Sequence, residues 1–148
     1  MEIKIRPYAP EDYFKINRRK FDLLTFLNFP NPKNVSETLG KGPAFTGLID
    51  EEILACGGII PFWKGVGEAW IVSSPLICKY PLFFAKTVWR KLNGLIVSMN
   101  LERVQTVIDA EHIVSCKWAE RMGFVNEGLM KKYIGGRDYI RYAWIKEK

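Results

Sequence analysis

Apolar and polar residues alternate at both ends of the chain and fall into a helical period between them. Residues 2–6 (Glu-Ile-Lys-Ile-Arg) alternate strictly, which predicts a short strand with Ile3 and Ile5 on its core face and Pro7 as its stop. Pro10-Glu11-Asp12 marks a helix start, with Pro early and acids opposing the helix dipole. This helix is expected to carry Tyr13, Ile16 and Phe21 inward. It ends before Asn28-Phe29-Pro30-Asn31-Pro32, whose prolines bar a helix. A second, short helix is expected over 35–39, capped by Asn34 or Ser36. Residues 44–49, 53–60 and 68–73 then read as three strands. The turn signals Asp50-Glu51-Glu52 and Lys64-Gly65-Val66-Gly67 between them predict antiparallel neighbours.

After Pro81 the period changes. Ala85, Val88, Trp89, Leu92, Leu95, Ile96 and Met99 share one helical face, and Asn93-Gly94 weakens its middle by about 1 kcal/mol, where the helix can break. Val104, Thr106 and Ile108 alternate as a further strand. Asp109 is placed to cap a helix over 111–122, and Gly123 to end it. Residues 124–134 and 137–145 close the chain as a hairpin around Gly135-Gly136. The order β-α-α-β-β-β-α-β-α-β-β predicts an α/β fold with a mixed, mainly antiparallel sheet and helices on both faces.

Composition narrows the class. The 148 residues suit one domain, and 48% hydrophobic with 14% aromatic content excludes disorder. No apolar run approaches the roughly 20 residues of a membrane helix, and Met-Glu-Ile-Lys-Ile-Arg lacks the apolar core of a signal peptide. Cys56, Cys78 and Cys116 show neither disulfide nor metal spacing. They are expected to be small packing residues in a reducing, cytoplasmic compartment, with no metal. The net charge of +6 gathers at Arg18-Arg19-Lys20, at Lys86, Arg90 and Lys91, and at Lys131-Lys132. These groups are either solvated faces or a field for an anionic ligand. No nucleic-acid motif accompanies them, so no nucleic-acid partner is expected.

Four passages carry a family resemblance. They are Ile-Arg-Pro-Tyr-Ala-Pro-Glu-Asp at 5–12, Ala-Cys-Gly-Gly-Ile at 55–59, Glu-Ala-Trp-Ile-Val-Ser at 68–73, and Ser-Cys-Lys-Trp-Ala-Glu-Arg-Met-Gly-Phe-Val-Asn-Glu-Gly at 115–128. Together they resemble the GNAT superfamily of acyl-CoA-dependent N-acyltransferases. The last is similar to the branch that acetylates protein N-termini. The ending through Tyr133 and Tyr139 is most similar to acetyltransferase-like proteins of tailed phages. The resemblance implies direct transfer from acetyl-CoA to an amine of a protein or small molecule, with no covalent enzyme intermediate. It also implies a cytoplasmic protein, or a host-cytoplasmic or virion one if of phage origin, with a homodimer among its assemblies.

The resemblance also implies roles for particular residues. Glu68 matches the family's base, and the main-chain N–H groups of Ile71, Val72 and Ser73 match its pantetheine and oxyanion donors. Ser74, Lys79, Tyr80 and His112 fall where the cofactor is held, and Ser115 where some members place a proton donor. Tyr133 and Tyr139 are further hydroxyl candidates. Phe26 and Phe29, in a loop over 26–32, together with Tyr133 would meet the acceptor. Plainer readings stand beside these: a strand-end surface acid, a capping histidine, amphipathic strand tyrosines and aromatics that seal the core. Two positions depart from the pattern. The family's Gly-rich pyrophosphate loop is replaced by Ser73-Ser74-Pro75-Leu76-Ile77-Cys78-Lys79-Tyr80-Pro81, which has no glycine, and its usual acidic Tyr by Ala119. Both departures favour a rival reading, a GNAT-fold interaction or virion component without catalysis.

Overall fold

Strand alternation and turn chemistry build one seven-stranded sheet, ordered β1-β2-β3-β4-β5-β7-β6. The computed structural model describes residues 2–147, so Met1 of the opening run and Lys148 lie outside the described residues. The strands β1 (Ile3–Pro7), β2 (Ala44–Ile49), β3 (Glu52–Trp63) and β4 (Val66–Ser73) form the expected antiparallel meander. Next to β4 lies β5 (Arg103–Asp109), running parallel to it, and the closing hairpin of β6 (Val125–Ile134) and β7 (Arg137–Ile145) adds antiparallel through β7. At Gly58, β3 passes close to the chain before β2: a Cβ there would stand 2.5 Å from the Pro43 carbonyl oxygen.

Among the described residues five α-helices flank the sheet: α1 (Pro10–Lys15), α2 (Lys20–Asn28), α3 (Pro32–Leu39), α4 (Pro81–Ser98) and α5 (Ile113–Arg121). On one face Ile96, Cys116 and Ala119 from α4 and α5 pack with Ile59, Val104 and Tyr142. On the other, Ile16 packs with Leu48, Cys56, Trp70 and Val72. Trp70 and its neighbour Ile71 therefore face opposite helix layers, as alternation requires. Gly123 ends α5 with a φ of +93°. No helix among the described residues is long and apolar enough to cross a membrane.

Several expectations are corrected. The helix begun at Pro10 stops at Lys15, where Ile16 turns extended (ψ 135°) and drops into the core, and a separate helix starts at Lys20. Tyr13 and Ile16 are buried as expected, but Phe21, on the separate helix, is only half-buried and stacks on His112. The third helix starts at Pro32, because the Asn31 side chain accepts from the Asn34 N–H at 3.2 Å; neither Asn34 nor Ser36 is the cap. Ile3 and Ile5 are 36% and 41% exposed, since β1 is an edge strand. The helix α4 runs unbroken through Asn93-Gly94, its packed face outweighing the weak glycine. The glycine-free segment forms a short 3-10 helix (Pro75–Lys79) that buries Ile77 and leaves Cys78 outside, so only Cys56 and Cys116 are packing cysteines.

Candidate active site

The parallel strands β4 and β5 pair only from Val66, Gly67 and Glu68 to Arg103, Val104 and Gln105. Beyond Glu68 they part. The splay contributes to a cavity of about 420 Å³, lined by Ile71, Ser73, Val107, Asp109, His112 and Phe21 among others. At its open end Ser73 directs both main-chain groups inward. Its N–H donates to Asp22 Oδ2 at 3.1 Å, and its C=O accepts from the Arg19 N–H at 3.0 Å. Strand alternation then turns the main chain of Ile71 the same way and that of Val72 toward β3.

Glu68 stands at the fork. Its Oε1 accepts from Arg141 Nη1 at 2.8 Å and from Gln105 Nε2 at 3.3 Å, and its side chain is 25% exposed. Gln105 accepts in turn from Arg103, which grips Glu127 at 2.6 and 3.0 Å. This polar ladder crosses β4, β5, β7 and β6 on the face that carries Trp70.

Across the splay, His112 is the N-cap of α5. Its Nε2 meets Ser115 Oγ at 3.1 Å and the Arg19 guanidinium, and Phe21 stacks on its ring at 4.4 Å and 13°. Burial, reinforced by the charge of Arg19, pushes the imidazole down to about 4. A guanidinium only donates, so Nε2 is an acceptor and the ring is neutral at pH 7 with its proton on Nδ1. Asp109 anchors this corner. It accepts from Arg137 at 2.6 and 3.1 Å and from the Glu111 N–H at 3.0 Å. Burial would raise its carboxyl, but these bonds outweigh burial and hold it below the usual carboxylate range.

No known family's sequence pattern matches the chain, and no curated protein sequence does. Solved structures do. A GNAT-family acetyltransferase from Bacillus anthracis superposes with a TM-score of 0.72 at 17% identity, covering 99% of this chain and 96% of that one. The chain has the GNAT fold. A ribosomal-protein-S5-alanine acetyltransferase from Vibrio fischeri gives 0.70 at 17% identity over 99% and 94% of the two chains. A GNAT-family acetyltransferase from Elizabethkingia anophelis with acetyl-CoA bound gives 0.70 at 13% over 97% and 98%.

The segment after β4 spends most of its donors on itself. Ser74 is buried. Its Oγ accepts from the Leu76 N–H at 3.1 Å, while the N–H groups of Ile77 and Tyr80 bond to carbonyls of the same segment. Lys79 is exposed beside the start of α4. There Pro81 has no N–H and Phe84 bonds back to Tyr80, which leaves the Leu82 and Phe83 amides as first-turn donors. Phe26 lies in α2 rather than a loop. It packs on Tyr13 under the Arg18 guanidinium at 4.0 Å, and both Phe26 and Phe29 line the cavity. Tyr133 is 46% exposed, with its ring 5.8 Å from that of Tyr139, and Tyr139 OH meets Thr25 Oγ1 at 2.8 Å. Glu68, Ile71, Ser73, His112 and Ser115 thus line one cavity, and Lys79, Tyr80 and Tyr133 stand outside its walls. Arg19, Asp22 and Arg141 were missed. Arg19 stood out only as charge, and nothing local marks Asp22 or Arg141 as reaching β4.

Proposed function

We propose that this chain transfers an acetyl group from acetyl-CoA to an amine of a protein or small molecule, without a covalent enzyme intermediate, in the cytoplasm. The observation that carries this reading is the β4–β5 splay, with a main-chain N–H of Ser73 directed into it and the Glu68 carboxylate at its fork. The chain's residues fit such a donor. Ser73 N–H already holds an acceptor oxygen, and the main chain of Ile71 faces the same space, as amide groups of a pantetheine arm require. The Leu82 and Phe83 amides with Lys79 suit a phosphate at the α4 terminus, in place of a glycine cradle. Structural neighbours support the class: one has acetyl-CoA bound, and others are acetyltransferases of ribosomal protein S5 alanine and of spermidine.

When bound, acetyl-CoA supplies an activated thioester carbonyl. Glu68 takes the proton that the acceptor ammonium must lose, and the Arg141 guanidinium fixes the orientation of its carboxylate. Ser73 N–H donates where oxyanion charge develops. Ser115 Oγ, a hydroxyl in the cavity lining, returns a proton, with neutral His112 holding it at 3.1 Å. Cys78 and Cys116 take no part, which agrees with transfer needing no nucleophile of the chain. Phe29 and Tyr133 border the acceptor's approach.

The test is chromatographic detection of free CoA when the protein meets acetyl-CoA and a panel of amines, including peptide N-termini and spermidine. Amine-dependent release is expected; its absence across the panel favours the second reading, a GNAT-fold interaction protein, virion-associated if of phage origin. That reading draws on the inward-turned donors of 74–80 and on Ala119, buried in the core where the acidic Tyr is usual.

A further inference from the structure

The helix α2 lies across the splay with Phe21, Asp22, Thr25 and Phe26 half-buried and no side chain fully withdrawn from solvent. Leu23 and Leu27 are 44% and 66% exposed. Phe26 packs on Tyr13 of α1, and over the splay the helix is held by polar and stacking contacts to three neighbours. Arg19 N–H and the Asp22 carboxylate bind Ser73 on β4, Phe21 stacks on His112, and Thr25 Oγ1 meets Tyr139 OH on β7. Nine residues are too few for a helix to persist alone in water, so these contacts keep it formed.

The contacts at Ser73 are the informative ones. Asp22 Oδ2 accepts from the Ser73 N–H at 3.1 Å and from its Oγ at 3.3 Å, as a carbonyl oxygen seated on β4 would. The Arg19 N–H takes the only other main-chain group that Ser73 offers the splay. The seat is held at a cost. Burial raises the Asp22 carboxyl above its ordinary range, and the Ser73 bonds and nearby arginines only partly offset this.

We propose that the turn 19–22 is an internal stand-in for the acyl donor: Asp22 closes the β4–β5 splay in the empty protein, and donor binding displaces it from Ser73. The inference rests on the acyl-CoA reading above. The same displacement lifts Arg19 and Phe21 from His112, so that its Nε2 is left to Ser115 alone. Donor binding and completion of the site then become one event, and the amine follows the donor.

The test compares acetyl-CoA titrations of the wild type, Asp22→Ala and Asp22→Asn, with thermal melts to confirm folding. Removing the stand-in should tighten binding at least threefold in Asp22→Ala. The gain should be smaller in Asp22→Asn, which loses the charge but keeps an acceptor for the Ser73 N–H. Equal gains would assign the effect to charge alone and overturn the proposal, as would unchanged or weaker binding in Asp22→Ala. On the wild type, hydrogen exchange should speed up over 19–28 and slow over 70–74 when acetyl-CoA saturates; protection of both segments would make α2 a lid over the donor and overturn displacement. Equal, measurable binding by all three proteins removes the stand-in and leaves the acyl-donor reading standing. Binding by none of them removes both.

Discussion

The Glu68 carboxylate and the Arg141 guanidinium meet at 2.8 Å across the fork where β4 and β5 stop pairing. Arg141 lies on β7, so the pair reaches over β5. It fixes the carboxylate beside the cavity rather than in open solvent. Glu68→Gln keeps the shape and removes the proton acceptor. Turnover should fall about a hundredfold, within the usual range for a general base, with KM for acetyl-CoA unchanged. Steady-state kinetics on the two proteins decides this. Full activity in the variant would take Glu68 out of the chemistry.

His112 should not titrate near neutrality. Burial and the Arg19 charge hold its folded-state pKa at about 4, below the roughly 6.5 of an unfolded chain. Above pH 6.5 both states are neutral and the group is silent. As pH falls from there toward 4 the unfolded state binds the proton first, so stability is lost over that window. Imidazole resonances should stay fixed from pH 8 to 5.5, and His112→Asn should flatten this part of the pH–stability curve.

Asp12 is the opposite case. Burial alone would raise its carboxyl, but two Arg6 bonds (2.7 and 2.8 Å), the Ala9 N–H and the Thr46 hydroxyl hold it down to about 2. Its contribution is complete above the unfolded value of about 4 and is lost as pH drops through 2. Asp12→Ala leaves the Ala9 N–H unpaired and the buried Thr46 hydroxyl with only the Cys56 sulfur at 3.5 Å, and should cost about 2–3 kcal/mol in urea unfolding.

Thiol labelling checks the placement of the 3-10 helix. Cys78 is exposed, whereas Cys56 is buried and pushed up to about 11, with its burial outweighing the Thr46 hydroxyl. One thiol per chain should react promptly with an aromatic disulfide, and the other two only on unfolding.

What the sequence disclosed follows from the range of each signal. Period-two runs and their Gly- or acid-containing turns located the meander, and the Leu92–Leu95–Ile96 stripe with Gly123 located α4 and the end of α5. These signals are local, and the packing agrees with them. The break between α1 and α2 has no such signal. It depends on Ile16 turning into the core and on Arg18 stacking over Tyr13 and Phe26, both set by tertiary contacts. Alternation marked Ile3 and Ile5 as apolar on one side, but not that β1 lies at an edge. The site was legible as far as Glu68, Ile71, Ser73, His112 and Ser115 lining one cavity, through a family likeness in which strand position matters more than side chain. That Ser73 is held by Asp22 and Glu68 by Arg141 depends on pairings 51 and 73 residues apart, which no local pattern encodes.

The most direct test of an acyl donor seated on β4 is amide NMR of the labelled protein titrated with acetyl-CoA. The largest shifts should fall on Ile71 and Ser73, with Arg19 and Asp22 moving alongside, and saturate below millimolar ligand. No shifts at millimolar acetyl-CoA, or shifts confined to the β6 edge, would contradict the account.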